Sequence, residues 1–210
     1  CFTGNGPVIR ALLSHPTTPP IDIHARTSGR WSTFLCASAK GNIGALTELL
    51  AYSAKSLRPL DLNMRAEKGR SALLMAVIKG HAEIVRTLLS YPEVDINLPD
   101  RQGLTPLMIV CAEGKISIIR RLLAPRPPSA RALDVNIAAP RTQATALMLA
   151  VEGGHLEVVR LLLGCRCNSP LDLKARCFKG RTALMMASTK GYDDIVTLLV
   201  AHGTGDGGQG

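Results

Sequence analysis

The sequence predicts an all-α repeat solenoid, a stack of short helix–turn–helix units. Three observations predict it. A six-residue segment opening on Ser or Thr recurs five times, a glycine follows each opening residue nine positions on, and apolar pairs recur beyond each glycine at helical spacing. Composition agrees. Apolar residues make up 46% of the 210 and charged residues 20%, enough to bury a core rather than remain disordered. Three Phe, three Tyr and one Trp leave that core to Leu, Ile, Val, Ala and Met, which favours close-packed helices over an aromatic-rich β-sandwich. No apolar run approaches the ~18 residues needed to span a bilayer, and no signal peptide stands at the start.

The five segments are Ser32-Thr33-Phe34-Leu35-Cys36-Ala37, Ser71-Ala72-Leu73-Leu74-Met75-Ala76, Thr105-Pro106-Leu107-Met108-Ile109-Val110, Thr145-Ala146-Leu147-Met148-Leu149-Ala150 and Thr182-Ala183-Leu184-Met185-Met186-Ala187. Each opening Ser or Thr is a good N-cap, its side-chain oxygen accepting an otherwise unpaired backbone N–H. Pro106 suits a first helical turn, where its missing donor costs nothing. A short helix rich in small residues follows, and Gly41, Gly80, Gly114, Gly154 and Gly191 end it in the left-handed conformation that glycine adopts cheaply. A second helix then carries pairs such as Ile84-Val85, Ile118-Ile119, Val158-Val159 and Ile195-Val196, with Leu-Leu or Leu-Val pairs one turn later. The exits Leu60-Asp61-Leu62-Asn63, Val94-Asp95-Ile96-Asn97, Leu133-Asp134-Val135-Asn136 and Leu171-Asp172-Leu173-Lys174 run extended, with Asp and Asn bonding their own backbone in turns.

Thr105-Pro106-Leu107, Gly80-His81, Val135-Asn136 and the run from Gly154-His155 to Leu161-Leu162-Leu163 resemble the ankyrin repeat, a β-turn finger followed by two antiparallel helices. The resemblance covers roughly residues 4 to 203. Where the family signature has His, this chain has Leu35, Leu74, Met108, Met148 or Met185, and packing takes over from that hydrogen-bonding group, since Met fills irregular gaps well. The resemblance implies complete repeats at 28–64, 65–97, 98–137, 138–174 and 175–203. A truncated repeat at 1–27 has Gly4 in the place of the helix-ending glycines, Val8-Ile9 and Leu12-Leu13 on its second helix, and an exit at Ile21-Asp22-Ile23-His24. An array that opens mid-repeat on Cys1 rather than Met reads as a piece of a longer chain, monomeric as such. The Gly-rich end, 204–210, reads as a flexible tail. Two connections are long, Ala51 to Arg58 and Pro125 to Arg131; the second is expected to project as a tolerated insertion rather than a contact or modification site.

Catalysis finds no residues to carry it. No Ser-His-Asp grouping or carboxylate pair stands apart from the repeat pattern, and the terminal glycines lack the Lys-Ser/Thr of a phosphate loop. Cys36 and Cys111 read as buried thiols. Cys165, Cys167 and Cys177, with His155 or His202 as a conceivable fourth ligand, lack the second tight pair of a zinc site, so neither metal nor cofactor is expected. His81 and His155 read as structural, bonding loop backbone. No even disulfide framework is visible, which favours a reducing compartment, intracellular and cytoplasmic or nuclear.

What remains is a surface. In ankyrin arrays the finger tips and the exposed end of each first helix form a concave binding face. Carried over by position, that face takes five residues per repeat, and of these 25 nine are basic and three acidic in a chain of formal charge +9. The partner-binding set this implies is Trp31, Lys40, Lys68, Arg70, Ile78, Lys79, Arg101, Leu104, Arg141, Phe178, Lys179, Arg181 and Lys190. Trp31, the sole Trp, Phe178 and Arg70 lead it, because large aromatics and Arg dominate interface hot spots. The bland alternative for Trp31 is packing within its own finger. The function implied is a non-catalytic scaffold holding an acidic or extended segment of another protein. A nucleic-acid or anionic-lipid binder using the same basic stripe is the first alternative, and the regulatory or targeting region of a longer enzyme, such as a kinase, is the second.

Overall fold

The computed structural model describes residues 6–14, 22–165 and 169–204. Cys1, Gly4, Ile21, Cys167 and the end of the chain from 205 to 210 lie outside the described residues. Two compact units divide the chain, residues 1–101 with 126–131, and residues 102–125 with 132–210. Each is all-α and built of stacked helix pairs.

In the first unit, α1 (Gly6–Ser14) packs on α3 (Ile43–Ala54), and α2 (Thr33–Lys40) packs both on α3 and on α4 (Ala72–Lys79), which pairs with α5 (Ala82–Leu89). In the second unit, α6 (Pro106–Glu113) packs on α8 (Ala146–Glu152) and α8 on α10 (Ala183–Lys190). Their partners α7 (Ile116–Leu122), α9 (Leu156–Leu163) and α11 (Asp193–Thr204) stack on one another in turn. First helices therefore lie on first helices and second on second.

Each first helix starts where a hydroxyl can cap it. Ser32, Ser71, Thr105, Thr145 and Thr182 accept from the N–H three residues on, at 3.2 to 3.4 Å, and Pro106 sits in the first turn. Gly41, with φ of 74°, closes α2, and Gly80, Gly114, Gly154 and Gly191 share its left-handed conformation. His81 exploits the missing side chain at Gly41. A Cβ there would lie 2.7 Å from the His81 ring, whose Nε2–H donates to Ala39 O at 3.2 Å. His155 makes the same bond to Ala112 O at 3.1 Å. These rings tie successive repeats together.

Leu35, Leu74, Met108 and Met148 occupy the place of the signature His fully buried. Met185 differs, 46% exposed on α10, so packing does not replace the hydrogen-bonding residue there. The exits divide their labour. Asp61, Asp95, Asp134 and Asp172 each accept the N–H two residues on at 2.9 Å. Asn63 reaches forward, accepting from Asp95 N and donating to Glu93 O, and Asn136 does the same with Asp172 N and Pro170 O.

Both long connections are tied into the fold. Residues 51–54 extend α3 by a turn, and Ser53 Oγ, buried, accepts from Leu60 N at 2.7 Å. The Pro125–Arg131 segment leaves Pro127, Pro128 and Ser129 exposed as expected of a projecting loop, but it is fastened at both ends. Arg126 lays its guanidinium on Tyr91 O and Val94 O, both at 3.2 Å, and on Arg131 O at 3.0 Å, while Arg131 pairs with Asp95 at 2.7 Å. The physical reason is that the Arg126 guanidinium carries several N–H donors, and the turn after α5 presents Tyr91 O and Val94 O to them together. At the far end α11 runs through Gly203 to Thr204, taking in the first residue of the expected tail.

Candidate protein-binding surface

The finger tips are built from strained backbone. Two residues before each first-helix cap the chain turns left-handed, at Arg30, Gly69, Gly103, Gln143 and Gly180, and Lys68 joins Gly69 in that region. Within each unit the tips hydrogen-bond to one another. Glu67 N donates to Gly29 O at 3.2 Å, Arg101 N to Lys68 O at 3.0 Å, and Phe178 N to Thr142 O at 2.8 Å. Gly69 permits the second of these, since a Cβ on it would stand 2.9 Å from both Cγ and N of Arg101. Fingers are thereby held at fixed separation, and the residues between them line a groove.

In the first unit that groove closes into a hollow of about 200 Å³. Trp31 and Arg70 come from the fingers, Ala39 from the end of α2, and Met75, Ile78 and Lys79 from α4, with Glu67 and Lys68 at the second finger tip. Met75, 4% exposed, is buried in the helix stack, and Ile78, one turn on, is half-buried. Five of the residues expected to contact a partner are brought together here: Trp31, Lys68, Arg70, Ile78 and Lys79. Trp31 packs in its own finger and is also accessible from the hollow. Its ring edge lies where a Cβ on Gly29 would come within 3.0 Å, and the same side chain lines the hollow.

Lys40 is elsewhere, in a separate crevice with Ile9, Thr33, Cys36 and Asn42. Arg101 is exposed at the tip that rests on Gly69.

The second unit presents its expected residues without gathering them into a described hollow. Phe178 is 81% exposed at a finger tip, with Lys179 and Arg141 also exposed and Leu104 and Arg181 half-buried. Lys190 is committed internally. Its Nζ donates to Glu152 O at 2.7 Å and lies 5.9 Å from the centre of the Tyr192 ring. Arg181 is turned toward Cys177. Burial pushes that thiol up, but hydrogen bonds from the backbone of Arg181 and Lys179, then from the Arg181 side chain together with its charge, outweigh burial and hold the thiol below its usual range. Cys111 is the opposite case, pushed up to about 12 by burial.

Cys36, Cys111 and Cys177 are free thiols. Cys165 is disulfide-bonded, although no even disulfide framework is visible in the sequence. That bond also withdraws Cys165 from a thiolate set with Cys177. Among the described residues no group of three or more His, Cys, Asp or Glu is placed to hold a metal ion, and no helix is long and apolar enough to cross a membrane.

Residues 33–136 and 130–206 match a family model for ankyrin repeats in three copies. The chain belongs to the ankyrin-repeat family. It is 33% identical over 117 residues, 56% of its length, to human SMC5-SMC6 complex localization factor protein 1. It is 28% identical over 208 residues, 95% of its length, to the probable E3 ubiquitin-protein ligase XBOS33 of Oryza sativa subsp. japonica. With leucine-rich repeat serine/threonine-protein kinase 1 of Caenorhabditis elegans the identity is 27%, over 71% of the chain. The matches span only 10%, 36% and 8% of those relatives' own lengths. Ankyrin repeats are protein-interaction units and are generally non-catalytic.

Two parts of the surface carry no signal of their role in the repeat pattern itself. Met75 reads as core, yet it also lines the hollow; its signal is the i, i+3 relation to Ile78, which places both on one face of α4. Arg126 reads as part of an insertion, yet it clasps the turn after α5 from 32 to 35 residues away, a separation that carries no local pattern.

Proposed function

We propose that this chain is a non-catalytic interaction module that holds an acidic, extended segment of another protein against its finger tips and first helices. The convergence of Trp31, Lys68, Arg70, Ile78 and Lys79 on one hollow carries the reading. Three cations stand there with one anion, Glu67, beside a large aromatic and apolar side chains. Aromatic and Arg anchors in desolvated pockets supply most interface energy, while surrounding charges set encounter rate and partner choice. A protein in the source cell, rather than a small molecule, is the ligand this arrangement favours.

A second reading draws on the relatives. A kinase and an E3 ubiquitin-protein ligase are among them, and the match covers a small share of each. In that case this array is the targeting region of a longer enzyme, and the same surface selects what the enzyme reaches. An intracellular location, cytoplasmic or nuclear, goes with both readings. The Cys165 disulfide is the observation against it, and the redox state of Cys165 in protein taken directly from the source cell decides the point.

The test is affinity capture from lysate with the chain and with a Trp31→Ala, Arg70→Glu, Arg181→Glu variant. Specific proteins held by the native chain and lost by the variant support the module. Equal capture by both, or capture only of nuclease-sensitive material, removes it.

A further inference from the structure

We propose that the hollow of the first unit is an anchor pocket for a single apolar side chain, presented by a peptide segment with Asp or Glu on either side of it. The proposal rests on the reading of this face as a protein-binding surface and deepens it by naming what enters.

Size decides first. A dry apolar cavity of roughly 150 Å³ accepts a benzene-sized guest, so about 200 Å³ matches one Leu, Ile, Met or Phe side chain and is too small for a helix face. Lining chemistry decides next. Met75, Ile78, Ala39 and the Trp31 ring are apolar, and the stems of Lys68 and Lys79 add methylene surface while their charged heads stay in water, whereas Arg70 has its Nε buried without a hydrogen-bond partner.

The rim decides the flanks. Lys68, at the second finger tip, and Lys79, at the end of α4, are both exposed, and Arg70 is half-buried between them in sequence. These cations suit carboxylates on neighbouring residues of a peptide whose central side chain points inward. Glu67 is the single acidic group on the rim and disfavours an acid placed directly above it. A single-stranded nucleic acid fits less well. Sequence-tolerant binding of that kind stacks successive bases on a series of aromatic side chains, and Trp31 is the only ring in this hollow.

Trp31 is also the sole Trp of the chain, so its emission reports on this pocket directly. The experiment selects binders to the full chain from a displayed library of random twelve-residue peptides. Selected peptides are then titrated by Trp31 fluorescence against the native chain, Ala39→Leu, which fills the pocket from a half-buried helix position, and Lys79→Glu, which reverses an exposed charge. A single-stranded twelve-nucleotide DNA serves as competitor. The expected result is an enriched pattern of one Leu, Ile, Met or Phe flanked by Asp or Glu, with a shift in Trp31 emission. Replacing that apolar residue by Ser, or using Ala39→Leu, weakens binding about tenfold or more. Acidic peptides that bind with the Ser replacement and Ala39→Leu both neutral overturn the anchor while leaving a charge-guided protein-binding face in place. Peptides without acidic residues, indifferent to Lys79→Glu, overturn the anchor and the underlying reading together. Failure to enrich any peptide, or displacement by the DNA at equal affinity, likewise overturns the anchor.

Discussion

Arg30 and Gln143 hold φ of 62° and 53°, the region where a side chain clashes with its own following carbonyl at a cost of roughly 1–2 kcal/mol. The equivalent residues in the other complete repeats are Gly69, Gly103 and Gly180. Gln143→Gly should therefore raise the unfolding free energy, by up to about 1 kcal/mol once the greater chain entropy of glycine is subtracted, as measured by urea denaturation. Ser71→Ala removes the cap that Leu74 N uses and should cost about 1 kcal/mol in the same assay. Thiol chemistry separates two other residues. Cys177 is held below its usual range and Cys111 is pushed up to about 12. Because the thiolate is the reactive species, alkylation near pH 7.5 should label Cys177 first and Cys111 only on unfolding. Peptide mass mapping reads this, and Arg181→Gln should slow the Cys177 reaction. Caps were legible at this scale because Ser or Thr before an apolar run has one local use. Strain at Arg30 and Gln143 was not, since neither residue type announces a positive φ.

At the scale of elements, α1 is tied to α3 by Arg10, which donates from Nε to Glu48 Oε1 at 2.9 Å and forms an ion pair through its second nitrogen. The hydrogen bond from Arg10 holds the Glu48 carboxyl below its usual range; partial burial opposes this and the Arg10 charge adds to it. A carboxylate whose folded-state pKa is depressed contributes stability that is fully present above its unfolded value, about 4.3. That contribution is lost as pH falls through the lower folded value. NMR resonances of Gly6–Ser14 should accordingly stay fixed from pH 7 to about 5 and move toward disordered positions in more acidic solution, whereas Glu48→Gln should show the loosened state at every pH. The segment after α7 makes a second prediction. Arg126→Ala deletes the two hydrogen bonds that fasten residues 126–131 to the turn after α5 and a third that closes the segment on Arg131 O, and should expose the segment to proteolysis without abolishing helical circular dichroism. The helix pairs were legible because their 3.6-residue periodicity and terminal glycines are local signals. This clasp was not, because the carbonyls that Arg126 binds lie 32 to 35 residues back, in a turn whose carbonyl directions no local pattern specifies.

At the scale of the molecule, a formal charge of +9 does not by itself distinguish a protein partner from a phosphate polymer. Its placement beside apolar residues supports the proposed protein partner. A phosphate binder making six to ten contacts loses roughly 10³–10⁵ in affinity between 50 and 200 mM salt, whereas an interface anchored by Trp31 and Ile78 should lose less than about tenfold. The basic stripe was legible from position within the repeat, but its closure into a hollow was not. That closure depends on Met75, which the repeat pattern assigns to the core, and on finger tips spaced by backbone bonds that no residue type specifies. Lys190 shows the same limit in reverse. Its position marks it for a partner, yet a carbonyl of the neighbouring repeat, Glu152 O, takes it. The central claim, that a protein partner lies on the fingers and first helices, is tested most directly by amide hydrogen exchange of the chain with and without its captured partner. Exchange should slow at residues 28–31, 66–70 and 72–79. Slowing confined to α3, α5 and the 126–131 segment, with those fingers unchanged, would contradict it.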